Sequence, residues 1–311
     1  MALFFQESVY FSCMKDEKYS SGLTAAIAAS MIWGFLPIYW KLMQEVPAYE
    51  ILAHRICWSF VFTAIIICCT GCWQQLKQDC HDLCINHKRG LWMISEAILI
   101  SINWLTYIWA VNNNHVLDTS IGYYINPLMN VLLGMIMFKD RLSRTKWISV
   151  GLASAGIILM AIQLGSLPWI SIVLPITFAL YGALKKMLQL GPYISIFLET
   201  LLLLPISLLY IGFAAADGTS HFVISDAYTC GLLAFTGVVT AVPLVLFSAG
   251  ANNLPLNVLG FMQYISPTMG FLLGIFYFGE SFGMAQLFAF SFIWMALALF
   301  TVADFRELRK K

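Results

Sequence analysis

Charged side chains are the scarcest class in this chain of 311 residues: Asp, Glu, Lys and Arg make up 11% of it, against 60% hydrophobic residues. Soluble domains carry about 25% charged and about 45–50% apolar residues. A water-facing surface cannot be assembled from so few charges, which excludes a soluble enzyme, and the same arithmetic excludes disorder. The mean hydropathy of +0.80 points to a bilayer as the main solvent. Neither sign of charge is in excess. With 17 basic and 16 acidic residues the formal net charge is +1, which leaves no electrostatic footprint for nucleic acid.

Other absences narrow the reading further. Residues 1–19, MALFFQESVYFSCMKDEKY, hold Glu7, Asp16 and Glu17 but no basic stretch before their apolar part. A cleaved signal peptide needs the opposite order, so a short interfacial segment or an extended tail is expected before the first membrane helix. No phosphate-binding loop and no G-x-G-x-x-G after a strand is present, so no enzyme activity and no cofactor is expected. Cys68, Cys69, Cys72, Cys80 and Cys84, with His81 and His87, form the one metal-like cluster. They lack the two-plus-two spacing of a zinc site and read as small apolar residues near a helix end, with no metal expected.

What the chain has is apolar runs of membrane-spanning length. A hydrocarbon core of about 30 Å takes a helix of roughly 20 residues. Ten runs qualify: 21–41, 52–72, 91–111, 116–138, 147–165, 168–187, 193–214, 228–249, 256–278 and 284–304. They are continuously apolar and lack the alternation of a membrane β-barrel. The charges between them are sorted. Lys15, Lys18, Lys77, Lys88, Arg89, Lys139, Arg141, Arg144, Lys146, Lys185, Lys186, Arg306, Arg309, Lys310 and Lys311 fall on one side of a ten-span topology. The other side receives Lys41 together with Glu45, Glu50, Asp217, Asp226 and Glu280, while Arg55 lies inside the second span. The positive-inside rule then places both termini in the cytoplasm.

The chain also repeats itself. Residues 112–140, NNNHVLDTSIGYYINPLMNVLLGMIMFKD, align without gaps with residues 252–280, NNLPLNVLGFMQYISPTMGFLLGIFYFGE. Asn112/Asn252, Asn113/Asn253, Tyr124/Tyr264, Ile125/Ile265, Pro127/Pro267, Met129/Met269 and Gly134/Gly274 are among the identities. Apolar composition does not by itself align Asn-Asn, Tyr-Ile-x-Pro and Gly together. Two repeats of five helices follow, over 21–165 and 166–305, flanked by an N-terminal segment 1–20 and a basic tail 306–311. Five is odd, so the second copy enters the membrane inverted. The basic KDRLSRTK after the fourth span, against GESFGMAQ after the ninth, agrees. Inverted repeats belong to secondary transporters; a duplicated bundle acting as a scaffold is the competing reading.

Ionisable groups inside a span mark function by default. Arg55 in the second span and Glu199 in the seventh occupy equivalent elements, where they would bind a zwitterionic solute or each other. Snorkelling to the interface is the alternative for Arg55, and nearness to headgroups is the alternative for Glu96 and His54. Trp33, Tyr39, Asn103, Trp104, Tyr107, Tyr124, Asn126, Tyr181, Gln263 and Tyr264 interrupt apolar helices and make a candidate wall for a solute with apolar and polar parts. For Asn103 and Asn126 the alternative is hydrogen bonding between helices. Pro127 and Pro267 fall near the centres of the fourth and ninth spans, where each removes a backbone hydrogen bond and predicts a kink suited to gating.

With these strings in view, the chain resembles an EamA-type permease of the drug/metabolite transporter superfamily, RarD group. The markers are WGFLPIYWK at 33–41, EILAHRICWS at 50–59, NWLTYIWAVNN at 103–113, SIGYYINPLMNVLLGM at 120–135 and GFMQYISPTMGFLLGIFYFGE at 260–280. The resemblance implies ten helices, cytoplasmic termini and a bacterial inner membrane. It also implies a small-molecule substrate: an amino acid, a related zwitterionic or aromatic solute such as S-adenosylmethionine, or, alternatively, a broad range of drugs of chloramphenicol type. Membrane lipids are the other expected partner. A coupling proton or ion, and a monomer or a homodimer, are open alternatives.

Overall fold

A computed structural model describes residues 2–112, 116–164, 169–277 and 284–308. The described residues form helices joined by turns and short irregular segments. The helices are α1 (Ala2–Lys41), α2 (Ala48–Thr70), α3 (Trp73–Ile85), α4 (His87–Asn112), α5 (Val116–Phe138), α6 (Arg144–Leu164), α7 (Ile170–Leu188), α8 (Pro192–Ala216), α9 (Ala227–Asn253), α10 (Leu256–Met262), α11 (Ile265–Phe276) and α12 (Met284–Leu308). Nine of the ten apolar runs fall mainly on one helix each, and the other, 256–278, falls on two. Six described helices, in α1, α2, α6, α7, α8 and α9, are long and apolar enough to cross a membrane by length and composition. Large apolar side chains such as Ile136, Ile206, Phe213 and Phe288 point outward, as lipid-facing residues do. The chain is an all-α, multi-pass membrane protein.

Four features depart from the sequence expectations. The backbone is helical from Ala2 straight into the first membrane run, so no extended tail precedes it. Residues 73–85, between the second and third expected spans, form the short helix α3. Its Leu76 is buried, and Cys72 and Cys80 pack on a cluster built from Ile67, Leu188, Leu190 and Ile194. Helix α2 starts at Ala48, ahead of the expected 52, behind Pro47, and stops at Gly71, whose φ of 69° is the left-handed conformation that lets Cys72 N reach Ile67 O at 3.2 Å. The run 256–278 is broken into α10 and α11 at Gln263 and Tyr264, two residues ahead of Ser266-Pro267, whereas α5 continues through Pro127 as one element. The expected junction at 165/166, the aligned residues Asn113 and 278–280, and the tail residues Arg309, Lys310 and Lys311 lie outside the described residues.

Packing fixes two ends of the bundle. At one end Arg89 Nη2 donates to Leu188 O at 2.7 Å, Asn252 Nδ2 donates to Leu190 O at 2.9 Å, and Lys146 pairs with Asp304 at 2.7 Å. Apart from Lys41 and Arg55, the described basic residues gather at this end. At the other, Glu50 accepts from Ser220 Oγ and His221 N at 2.9 and 2.7 Å. There Asp226 caps α9 by accepting from Thr229 N, and hydrogen bonding from the Thr229 side chain, with that backbone bond, holds its carboxyl below the usual range. Helices α6 and α12 pack on each other.

Candidate functional site

Arg55 lies seven residues past the start of α2, about 10 Å along the helix at 1.5 Å per residue. That depth is greater than the sequence boundaries implied. Its Nε donates to Thr240 Oγ1 of α9 at 2.9 Å. The guanidinium carbon stands 5.0 Å from the Trp40 ring centroid and 5.1 Å from that of Trp104. Tyr39, Tyr107 and Tyr123 are its electrostatic neighbours, and the Tyr107 and Tyr123 rings approach to 5.8 Å. Five helices, α1, α2, α4, α5 and α9, thus meet around one cation. Among the described residues no carboxylate lies within ion-pair distance of it. A guanidinium carries five N–H donors, and Thr240 uses one. The geometry suits a flat or anionic group laid against Arg55 and the indoles.

Glu199 does not meet Arg55. Phe60, five residues beyond Arg55 on α2, stacks on Phe197 of the antiparallel α8 at 5.0 Å, and Glu199, two residues past Phe197, turns toward α7 instead. Its partner is Lys185 of α7 at 2.5 Å, which also pairs with Glu96 of α4 at 2.8 Å. Tyr181 Oη donates to Glu199 Oε2 at 2.9 Å. Sequence reasoning placed Lys185 among the surface charges and missed Ser195, whose hydroxyl stands 2.8 Å from the Lys185 ammonium.

The neutral residues divide. Asn103 is satisfied, donating to Leu174 O at 2.8 Å and Thr177 Oγ1 at 2.9 Å, and ties α4 to α7. Trp33 packs on Phe178 and Phe247 with centroids 5.7 and 5.6 Å apart, in the core. Asn126 donates to Gln263 Oε1, and Tyr124 Oη reaches Pro267 O at 3.2 Å. Around this crossing of α5 with α10 and α11, Asn126 Oδ1, Gln263 Nε2, Tyr264 Oη, Asn257 Oδ1 and both amide atoms of Asn130 are buried without a partner. Such groups cost roughly 1–3 kcal/mol each when left unmade, so this seam is a polar path in an apolar bundle.

The open depressions lie elsewhere. One of about 550 Å³ is lined by α1 residues from Glu17 to Ala28 and Leu246; one of about 420 Å³ is lined by Tyr49, Leu105, Thr106, Trp109 and Trp169. Neither includes Arg55, Glu199 or the Asn126 seam. The core between them is closed by ring packing.

Similarity to known proteins fits this arrangement. The model of the EamA-like transporter family matches residues 20–162. The transporter YojE of Bacillus subtilis is 42% identical over 95% of this chain and 98% of its own length. The protein RarD of Escherichia coli is 41% identical over 93% of this chain and 96% of its own. A chloramphenicol-sensitive protein RarD of Pseudomonas aeruginosa is 26% identical over 93% and 96%. One solved crystal structure shares the fold with a TM-score of 0.71 at 16% identity, covering 93% of this chain and 99% of that one.

Proposed function

Because the chain belongs to the EamA-like transporter family, in the branch that holds RarD and YojE, we propose that it carries small molecules by alternating access between two inverted five-helix repeats. Ten spans with both termini in the cytoplasm of a bacterial inner membrane complete this reading. It is supported by the alignment of residues 112–140 with 252–280 and by the gathering of basic residues at one end of the bundle. Inversion explains the separation of Arg55 from Glu199. Equivalent positions in inverted repeats fall in opposite halves of the bilayer, one cation toward one end and one acid cluster toward the other.

The cargo in this reading is a range of small molecules with an aromatic or flat apolar body, of the kind the chloramphenicol-sensitive relative's name suggests. The observation that carries it is the Arg55 cage: a cation held between Trp40 and Trp104 with no carboxylate of its own among the described residues. Flat groups are recognised there by stacking, which is tolerant of chemical detail. The same cage favours a second reading, in which the carboxylate of an amino acid or related zwitterion sits on Arg55.

Radiolabelled chloramphenicol and a panel of amino acids, tested for flux in proteoliposomes, separate the two. Broad, weak flux whose KM rises in Arg55→Gln while maximal flux is kept supports the drug reading. Selective flux of a carboxylate-bearing solute that Arg55→Gln abolishes supports the zwitterion reading. Absence of flux and of exchange for every compound counts against transport altogether and leaves the scaffold.

A further inference from the structure

Glu96, Lys185 and Glu199 meet inside the bundle with side-chain exposures of 0%, 0% and 3%. All three hydrogens of the Lys185 ammonium have acceptors: Glu96 Oε1 at 2.8 Å, Glu199 Oε1 at 2.5 Å and Ser195 Oγ at 2.8 Å. Glu199 is furnished as an anion, since Tyr181 Oη donates to its Oε2 at 2.9 Å and Ser195 Oγ to its Oε1 at 3.1 Å. Glu96 is not. Its Oε2 is buried without a partner, and the single Ser195 hydrogen lies nearer Glu199 than Glu96, at 3.1 against 3.3 Å.

Two carboxylates and one ammonium leave one negative charge unbalanced where water is excluded. An uncompensated ion in such a place costs several kcal/mol even after relaxation, and two carboxylates held close relieve it by keeping a proton between them. The charged or titratable groups facing Glu96 among the described residues are Lys185 from α7 and Glu199 from α8, with Tyr181 behind Glu199. Helices α2, α3 and α5, which also pack against α4, present none to it.

Building on the transporter reading above, we propose that Glu96 is the proton-coupling carboxyl of the transport cycle. With the cluster closed, Glu96 is the neutral acid beside the Glu199–Lys185 pair. Glu96 belongs to the first repeat and the pair to the second, so rocking one repeat against the other parts them. Lys185 is three residues from the end of α7 and Ser195 three from the start of α8, so water enters from the end that gathers the basic residues. Glu96, hydrated, then gives its proton to that water and is left as a carboxylate, ready to reload before the cluster closes. One proton moves per cycle.

Infrared spectroscopy of the full-length protein in lipid tests the loaded state without any substrate. The wild type should show the carbonyl stretch of a buried carboxylic acid at neutral pH, and base titration should remove it. Glu96→Gln should lack the band and Glu50→Gln should keep it. A wild type with no such band at any pH overturns the proposal, and so does a band that persists in Glu96→Gln. The wild-type titration is decisive even if the variant misfolds. Proteoliposomes then test coupling with chloramphenicol as the probe. An imposed pH gradient should drive the wild type to accumulate it, while Glu96→Gln should only equilibrate it, its accumulation ratio falling to unity. Equal gradient-driven accumulation in both refutes coupling through Glu96 and leaves the transport reading standing. No movement of chloramphenicol by either protein, with the infrared band behaving as expected, refutes the drug reading and leaves the protonated Glu96 standing.

Discussion

Asn126, one residue before Pro127 on α5, donates its side-chain amide to Gln263, the residue at which the second proline segment breaks into α10 and α11. The bond links the two segments that align with each other in the sequence. Both side chains are buried, and the remaining atoms Asn126 Oδ1 and Gln263 Nε2 have no partner. Replacing Asn126 with alanine leaves the whole Gln263 amide unpaired, at an expected cost of about 1–3 kcal/mol. Replacing both with leucine should cost less than the sum of the single changes. Thermal unfolding of the four proteins in detergent measures the coupling, and purely additive losses would contradict it.

Close helix approach at the same crossing depends on Gly260. A Cβ added there would lie 2.6 Å from Asn130 Cβ and 2.9 Å from the backbone oxygen of Pro127, which cannot swing aside. Gly260→Ala should therefore force α5 and α10 apart and cost about 1–3 kcal/mol by overpacking. Gly270→Ala is the control, because nothing lies within 4 Å of the added atom. Equal melting temperatures for the two variants would show that the crossing yields easily.

At the cage, Arg55→Lys keeps the charge and loses the flat surface between Trp40 and Trp104. A stacked cation of this kind is worth about 0.5–2 kcal/mol, or roughly two- to thirtyfold in affinity. KM for a transported aromatic solute should rise by that factor with little change in maximal flux. An unchanged KM in Arg55→Lys, with Trp104→Leu also silent, places the cargo elsewhere.

The all-helical class and the apolar runs were legible because lipid imposes length and apolarity on each element separately. Helix α3 was not, since its pattern of Trp73, Leu76, Cys80 and Leu83 is too short to stand out beside runs of twenty apolar residues. The site was half legible. Arg55 and Glu199 announced themselves as ions in the wrong solvent, but their partners depend on which helices touch. Lys185 read as a terminal positive charge because nothing local reveals that α4 and α8 close over it. Asn103 and Trp33 read like wall residues, and tertiary packing made them clamp and core.

Topology has its own test. Single cysteines replace Gly218, in the exposed turn after α8, and Lys88, near the exposed start of α4, once the native cysteines are removed. In intact cells a membrane-impermeant thiol reagent should label position 218, and position 88 only after permeabilisation. The reverse pattern would invert the orientation read from the charges, and equal labelling would unsettle the number of spans.

The two aligned prolines should not behave alike. Helix α5 runs through Pro127 unbroken, so Pro127→Ala adds a donor to an element that is already continuous. Pro267 stands in the first turn of α11, and the carbonyl four residues before it, Gln263 O, now accepts only a long 3.3 Å bond from Ser266 N. Pro267→Ala supplies the missing N–H to that carbonyl and should fuse α10 to α11. Fusion shifts Gln263 and Tyr264, and with them the bond to Asn126 and the contact of Tyr124 Oη with Pro267 O. Folding should survive in both variants, because alanine is a good helix former. Transport should fall in Pro267→Ala and change little in Pro127→Ala, since a healed helix favours one of the two shapes a carrier alternates between. Hydrogen exchange at residues 262–266 reads the fusion independently of any substrate. Faster exchange in the wild type than in Pro267→Ala is expected. Identical exchange with identical flux in the two would reduce the break at Gln263 to a packing detail.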